Sequence, residues 1–138
     1  AERELRGFSK FFKEESLSEQ IHASKFADYL IARGQTVLLQ DLPSPKQDWL
    51  SPQEILEASF QMEAEVTASL NQLYSMAERA SDMRTTVFLD PTIDTQLQSE
   101  NEFAHLMGRV NYAQNQPSAM LIIDGELSAG NQGPALLA

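Results

Sequence analysis

Apolar side chains recur every three to four residues along three long segments, a period typical of amphipathic α-helices. The segments run from about residue 3 to 33, from 51 to 80 and from 83 to 111. A shorter apolar stretch at residues 119–123 predicts a fourth, short helix. No segment alternates over a useful length as a strand does, so the pattern predicts an all-α protein.

The predicted helices have recognisable ends. The first stops at Gly34, and the second begins at Ser51-Pro52-Gln53-Glu54, a capping box with proline at the first helical position. Asp90-Pro91 lies inside the third segment and predicts a kink or a late start. The linker at residues 34–49 is long enough to return the chain to its starting end. We therefore expect the first two helices to run parallel, and the third to return antiparallel after a turn near Ser81-Asp82.

The composition suits one compact domain at residues 1–127, followed by a mobile tail at residues 128–138. A net charge of −10 argues against nucleic-acid binding and suits a cationic partner. No apolar run is long enough to cross a membrane, and nothing marks the chain for secretion, so a cytoplasmic protein is expected. Because the chain has no cysteine, any metal must use carboxylate, imidazole or amide ligands.

Each long helix carries polar residues in the middle of its apolar stripe. These are Glu19 and His22 on the first helix, Glu63 on the second, and Gln96 and Glu100 on the third. The complete predicted stripes are Phe8, Phe12, Glu15, Glu19, His22, Phe26 and Leu30 on the first helix; Leu56, Ser59/Phe60, Glu63, Val66, Leu70 and Leu73 on the second; and Leu89, Ile93, Gln96, Glu100, Phe103, Met107 and Val110 on the third. Burying a lone carboxylate is costly unless it is neutralised, paired or bound to metal, and no lysine or arginine lies on these stripes. A di-metal site would explain the pattern, since helical bundles hold two iron or manganese ions with inward carboxylates and Glu-x-x-His pairs. The competing interpretation is a solvated polar pair.

A second Glu-x-x-His pair, Glu102 and His105, falls off the stripe of the third helix. Glu63 lies about 18 residues, or about 27 Å, before the turn that follows it. A ligand at the same level after the turn would be Gln96 or Glu100, and Glu102 lies about one helical turn too far. We therefore expect Glu102 and His105 to be surface residues.

The chain resembles ferritin over residues 5 to about 127. The matching features are "FSKFFKEES", Glu19-x-x-His22-Ala23, "RGQTVLLQD" (similar to the family's R-G-G-x-x-x-L-Q-D), Trp49, Glu63 and "LIIDGEL". The resemblance implies a four-helix bundle with a short additional C-terminal helix, and usually twenty-four copies in a hollow iron-storing shell. It also implies a di-iron centre that oxidises Fe(II) to Fe(III) with dioxygen and stores the ferric mineral.

The resemblance also implies roles for individual residues. Glu19 and His22 match ligands of the family's first iron site, Glu63 matches the carboxylate of the second, and Gln96 matches the glutamine that hydrogen-bonds bound dioxygen or water. Asp90 resembles an acidic residue of the pore through which iron enters. Storage-only subunits replace the oxidase ligands, so this chain resembles the catalytic type.

The sequence departs from the family in two respects. A neighbouring pore acid is replaced by Val87, and ferritins begin with a further long helix, carrying a glutamate of the first iron site, that is absent from this sequence. Three functions therefore stay open. They are an iron-oxidising storage subunit in a shell of identical or mixed copies, a structural shell subunit with an incomplete oxidase centre, and a helical interaction module without metal.

Overall fold

Four α-helices make up the part of the chain that the computed structural model describes, which is residues 5–38, 40–44, 46, 48–49 and 51–130. The helices are α1 (Arg6–Ala32), α2 (Pro52–Arg79), α3 (Met83–Ala113) and α4 (Pro117–Ser128). The prediction of an all-α protein is confirmed. None of the four helices is both long and apolar enough to cross a bilayer.

The helix ends agree with the sequence in most details. Ser51 caps α2 by accepting a 3.2 Å hydrogen bond from the Glu54 amide, as the capping box predicted. α3 runs through Pro91 without interruption, so the alternative of a late start there is wrong. α4 is longer than the predicted stretch at residues 119–123 and includes Ser128, the first residue of the predicted tail. The tail from residue 131 onward lies outside the described residues.

The three long helices have the predicted directions. α2 and α3 are joined by a short turn at residues 80–82 and pack against each other as an antiparallel pair. On α1, Phe11 contacts Phe103 with ring centroids 5.3 Å apart, and Phe26 contacts Phe88 at 5.2 Å. Because residue numbers rise along α1 as they fall along α3, these helices are also antiparallel. α1 therefore runs parallel to α2.

The main core lies at the end of the bundle that α4 covers. All four helices contribute buried side chains to it: Phe8, Phe11, Leu56, Phe103, Leu106, Val110, Ala113, Met120, Ile123 and Leu127. α4 can approach α1 closely because residue 7 is glycine, and a Cβ there would lie only 1.9 Å from the Asp124 carbonyl oxygen. The buried Asp124 carboxylate accepts a 2.9 Å hydrogen bond from the Phe8 amide and so satisfies one of the free N–H groups at the start of α1.

A polar cluster fixes the opposite end of α1 to the start of α3. Tyr29 stacks on Phe88 at 4.1 Å and hydrogen-bonds Thr85 at 2.7 Å. Arg33 donates to Asp82 at 3.0 Å. Hydrogen bonds from Thr85 and Arg33 lower the pKa of Asp82 to about 2. α1 is thus held at both ends.

The apolar stripes differ from the predicted ones along one side of the molecule. Phe11 is more deeply buried than Phe12, which the predicted stripe contained. The predicted stripe residues Leu30 on α1, and Val66 and Leu73 on α2, are exposed. No helix in the described part of the chain covers these three side chains.

Candidate metal centre

Polar side chains replace the apolar core in the middle of the bundle. Helical spacing puts Glu15 and His22 two turns apart on one face of α1, and the bundle sets them opposite Glu63 of α2 and Gln96 and Glu100 of α3. Electrostatic coupling of Glu63 to His22 and to Glu100 places these groups in one neighbourhood. The polar residues predicted from three separate stripes therefore lie at one level of the structure.

Glu63 and Gln96 form the best-defined pair of this centre. The Gln96 side-chain amide, which is only 5% exposed, donates to the Glu63 carboxylate at 2.6 Å and to the Glu63 backbone carbonyl at 3.1 Å. Burial raises the pKa of Glu63, and the hydrogen bond from Gln96 partly opposes that rise. Gln96 thus orients Glu63 through one carboxylate oxygen, Oε2, and leaves Oε1 available to a ligand.

Glu100 is held in a similar way by Thr67, which is not among the predicted site residues. The Thr67 hydroxyl lies 2.7 Å from Glu100 Oε2 and 3.0 Å from the Glu63 carbonyl oxygen. Its single proton can serve only one of these acceptors at a time. The sequence signal was available, because Thr67 follows Glu63 by four residues and therefore shares its helix face.

Glu19 and His22 lie at the edge of the centre. His22 Nδ1 is 3.9 Å from a Glu19 carboxylate oxygen, too far for a direct hydrogen bond. The Glu19 side chain is 52% exposed and that of His22 is 24% exposed. The Glu-x-x-His spacing does bring the two groups to the same side of α1. The expectation that Glu19 is buried is wrong, because the stripe of α1 is centred nearer Phe11 and Glu15.

Glu15 and Glu102 add two carboxylates that are not among the predicted site residues. Burial, followed by the charges of Glu102, Glu63 and Glu19, raises the pKa of Glu15 to about 7. Burial also raises the pKa of Glu102. The prediction of a surface position for Glu102 is therefore wrong. That prediction compared the level of Glu102 along the bundle with the level of Glu63 on α2, whereas the charge of Glu102 acts on Glu15 of α1. Glu15 could have been found, since it lies on the same predicted stripe as Glu19.

His105, the partner of Glu102 in the second Glu-x-x-His pair, is not at the exposed surface either. It is half-buried and lines a cleft between α3 and α4, together with Gly108 and Tyr112. Because Glu102 belongs to the polar level and His105 lines this separate cleft, the two residues do not form one site.

The predicted pore residue Asp90 is exposed on α3, beside Tyr74 of α2. The negative charge of Asp90 is the main cause of a raised pKa of the Tyr74 hydroxyl. The role of Asp90 as a pore acid stays a prediction.

The donor set suits hard or borderline metal ions such as iron. Glu15, Glu63, Glu100 and Glu102 have no lysine or arginine partner among the described residues. Within the same residues, no three histidine, aspartate or glutamate side chains are close enough together to hold one ion. Mutual repulsion keeps such carboxylates apart, and a bound cation would remove that repulsion.

Comparisons with known proteins agree with this architecture. The family model described as "Ferritin-like domain" matches residues 1–113. A bacterial non-heme ferritin of Staphylococcus saprophyticus is 28% identical over 123 residues, which cover 89% of this chain and 74% of that protein. A ferritin of Pacifastacus leniusculus is 31% identical over 125 residues, covering 89% and 69% of the two chains. The open pore ferritin of Archaeoglobus fulgidus superposes with a TM-score of 0.87 at 28% identity, covering 92% of this chain and 78% of that structure.

Proposed function

Because the chain belongs to the ferritin-like domain family, we propose that it is an iron-storage subunit that oxidises Fe(II) to Fe(III) with dioxygen. The observation that carries this proposal is the Glu63–Gln96 pair, which presents an oriented and partly buried carboxylate close to His22. A buried carboxylate without a cationic side chain is costly, and a divalent ion would offset that cost. Iron is both the substrate and, as the ferric mineral, the stored product.

The individual side chains support distinct tasks in this reaction. His22 supplies a neutral nitrogen ligand, and Glu19 and Glu63 supply oxygen ligands. Glu19 and His22 have the Glu-x-x-His spacing of di-iron bundles. Glu100, held by Thr67, offers a further oxygen at the same level. Each Fe(II) gives up one electron, so a pair of ions delivers two electrons to dioxygen.

Gln96 and Glu15 support the reaction without an assigned bond to metal. The Gln96 amide N–H group is fixed on Glu63, and its carbonyl oxygen can accept a hydrogen bond from bound water. Glu15 holds a proton near neutral pH because its pKa is raised to about 7. When a cation binds nearby, its charge favours ionised Glu15, so Fe(II) binding is expected to release a proton.

Assembly into a closed shell of twenty-four copies belongs to the same proposal. Several large apolar side chains are exposed on α1 and α4: Leu17, Ile21, Ile31, Leu121 and Ile122. Apolar area of this kind is usually covered by partner subunits. Light scattering should give a particle mass of hundreds of kilodaltons, and a stable monomer of 15.4 kDa would contradict the shell.

Replacing one histidine tests the oxidase centre. In His22→Ala, Fe(II) oxidation followed by ultraviolet absorbance in air should slow by at least about tenfold. Even the mutation of a residue that only hydrogen-bonds a metal ligand commonly lowers metal affinity or activity by that factor. The matched control is His105→Ala, which removes the chain's other histidine and should leave the rate unchanged. An unchanged rate in His22→Ala, or equal slowing in both variants, would reject the proposed centre.

The second candidate function is a shell subunit whose own centre is incomplete. The observation in its favour is the exposed Glu19 side chain, with no three ligating groups gathered around one point in the described residues. Such a subunit would take up ferric mineral in a mixed shell but would not speed Fe(II) oxidation when assembled alone. Comparing initial oxidation rates of the pure protein and of protein-free buffer separates the two candidates.

A further inference from the structure

A cleft of about 330 Å³ lies between α1 and α3 on one side of His22. Helical spacing explains its lining. His22, Lys25 and Phe26 share one face of α1, and Thr92 and Thr95 share one face of α3. Pro91 and Phe88 complete the walls. The cleft therefore has an apolar part, where Phe26 meets Phe88 at 5.2 Å, and a polar part formed by an imidazole, an ammonium and two hydroxyl groups.

The polar lining differs in sign from the rest of the molecule. The chain has 20 acidic residues and 10 basic ones, yet no aspartate or glutamate is among the described residues that line this cleft. Lys25 forms no ion pair in the described part of the chain. Among the described lining residues, Lys25 is thus the one side chain with a formal charge, so the lining is positive in an acidic protein.

The donors of the cleft are largely unused. The Thr92 hydroxyl has no hydrogen-bond partner among the residues with a described structure, whereas Thr95 donates to the Pro91 carbonyl at 2.9 Å. His22 Nδ1 is directed toward Glu19 at 3.9 Å, which leaves Nε2 at the other edge of the ring. His22 Nε2 likewise has no partner within the described ranges. A histidine that binds metal through one nitrogen normally donates its other N–H to an anion, a carbonyl or water.

We propose that this cleft binds a small tetrahedral oxyanion, such as inorganic phosphate, through Lys25, Thr92 and the imidazole of His22. Phosphate oxygens accept hydrogen bonds from ammonium, hydroxyl and imidazole N–H groups. Charge-assisted hydrogen bonds of this kind are stronger than those between neutral groups. One tetrahedral ion uses all of these donors, which leaves none for the sugar or base of a nucleotide. The ligand is therefore the free ion.

The bound anion also acts on the neighbouring metal centre, an effect that rests on the proposed function. An anion that accepts a hydrogen bond from Nε2 makes Nδ1 the stronger donor to a cation. Phosphate should then tighten divalent-metal binding, and the metal should tighten phosphate binding by the same factor, because such coupling is reciprocal.

Titration of the metal-free protein with inorganic phosphate tests the site itself. Calorimetry should give saturable binding of one ion per chain, weakened at least about tenfold in Lys25→Gln, which loses a charge-assisted contact. The matched control is Lys13→Gln, which removes the same charge from an exposed position of α1 and should leave the affinity unchanged. Lys25→Arg should retain most of the affinity. Absence of saturable binding, or equal weakening by Lys13→Gln, would overturn the proposal.

Two further titrations test whether the ligand is the free ion or a nucleotide, and whether anion binding is coupled to metal binding. AMP should bind more weakly than phosphate, and tighter binding of AMP would overturn the assignment to the free ion. With Co(II), which dioxygen does not oxidise under these conditions, phosphate should raise metal affinity by the factor by which Co(II) raises phosphate affinity. Phosphate binding without any Co(II) binding would reject the proposed iron centre and leave the anion site standing. Binding of both without coupling would overturn the link through His22.

Discussion

The end of the bundle covered by α4 and the polar level in its middle are built from the same three long helices, yet they are organised by opposite rules. At the α4 end, Phe11 and Phe103 are buried in edge-to-face contact, and the buried carboxylate of Asp124 accepts a hydrogen bond from the Phe8 amide. At the polar level, Glu15 and Glu63 are partly buried, face other carboxylates and have raised pKa values.

This difference distinguishes the region that stabilises the fold from the region that carries the proposed activity. The apolar end is complete within the described chain, since its side chains fill one another's space and its polar groups are paired. The polar level is incomplete, since bringing carboxylates together costs free energy until a cation arrives. Stability is therefore expected to depend on the first region, and activity on the second.

The largest effect should follow from opening a cavity at the apolar end. Phe11→Ala removes a ring that is only 2% exposed and should lower the free energy of unfolding by about 3–5 kcal/mol. Gln20→Ala on the exposed side of the same helix is the control and should change it by less than about 0.5 kcal/mol. Urea unfolding followed by circular dichroism measures both. Similar losses in the two variants would mean that the apolar end is not the stabilising core.

A smaller loss should follow from adding one methyl group where α1 meets α4. In Gly7→Ala the new Cβ would lie 1.9 Å from the Asp124 carbonyl oxygen, so α4 must move, at a cost of about 3 kcal/mol. Gly108→Ala is the matched control, because a Cβ there meets no atom within 4 Å. It should stabilise α3 by up to about 1 kcal/mol. Thermal unfolding distinguishes the two, and a stable Gly7→Ala protein would contradict the close approach of α4.

The polar level should respond in the opposite direction when a charge is removed. The pKa of Glu15 is raised from 4.5 to about 7, so the folded state binds its proton more tightly than the unfolded state does. Ionised Glu15 therefore destabilises the fold fully above pH 7, and this cost disappears as the pH falls toward 4.5. In the metal-free protein, Glu15→Gln should raise the free energy of unfolding at pH 8 by about 1–2 kcal/mol, after allowance for solvent screening.

The pH dependence supplies the control for Glu15→Gln. The gain should nearly vanish in urea titrations at pH 4.5, where the Glu15 carboxyl of the folded protein is protonated and carries no charge. Glu14→Gln changes the same charge on an exposed neighbour and should give little gain at either pH. If Glu15→Gln destabilises the protein at pH 8, the carboxylate has a favourable partner and the contrast between the two regions fails.

The smallest effect should come from Thr67→Val, which keeps the side-chain shape and removes the hydroxyl that holds Glu100. The loss of one hydrogen bond predicts a decrease in stability of about 1 kcal/mol. Thr86→Val is the matched control, since Thr86 donates only to the Met83 carbonyl. Fe(II) oxidation should slow in Thr67→Val and not in Thr86→Val. Equal rates in both variants would remove Glu100 from the centre.

Much of the fold was predictable because it depends on local signals. The capping box at Ser51 and the turn near Asp82 set the boundaries of two helices, and the length of the linker set their relative directions. The level of Gln96 relative to Glu63 followed from the helical rise alone. These quantities are fixed by helix geometry, which does not depend on the neighbouring helices.

The parts that could not be predicted depend on packing between helices. The rotation of α1 that buries Phe11 rather than Phe12, and exposes Glu19, is decided by contacts with α3 and α4. Predicting that Glu102 lies near Glu15 requires the distance between α1 and α3, and the residue pattern of a single helix does not give that distance. Thr67 was missed because a hydroxyl on a mixed face gives no hydrophobic signal.

The attachment of α1 at both ends has a consequence for how its sequence can vary. The Phe8 amide is fixed on Asp124 near one end, and Arg33 is fixed on Asp82 at the other. Inserting or deleting one residue between them would turn everything beyond that point by about 100° around the helix axis. Either the aromatic and ionic contacts or the Asp124 contact would then be lost. The number of residues between the two anchors is therefore constrained, whatever the identity of each residue between them.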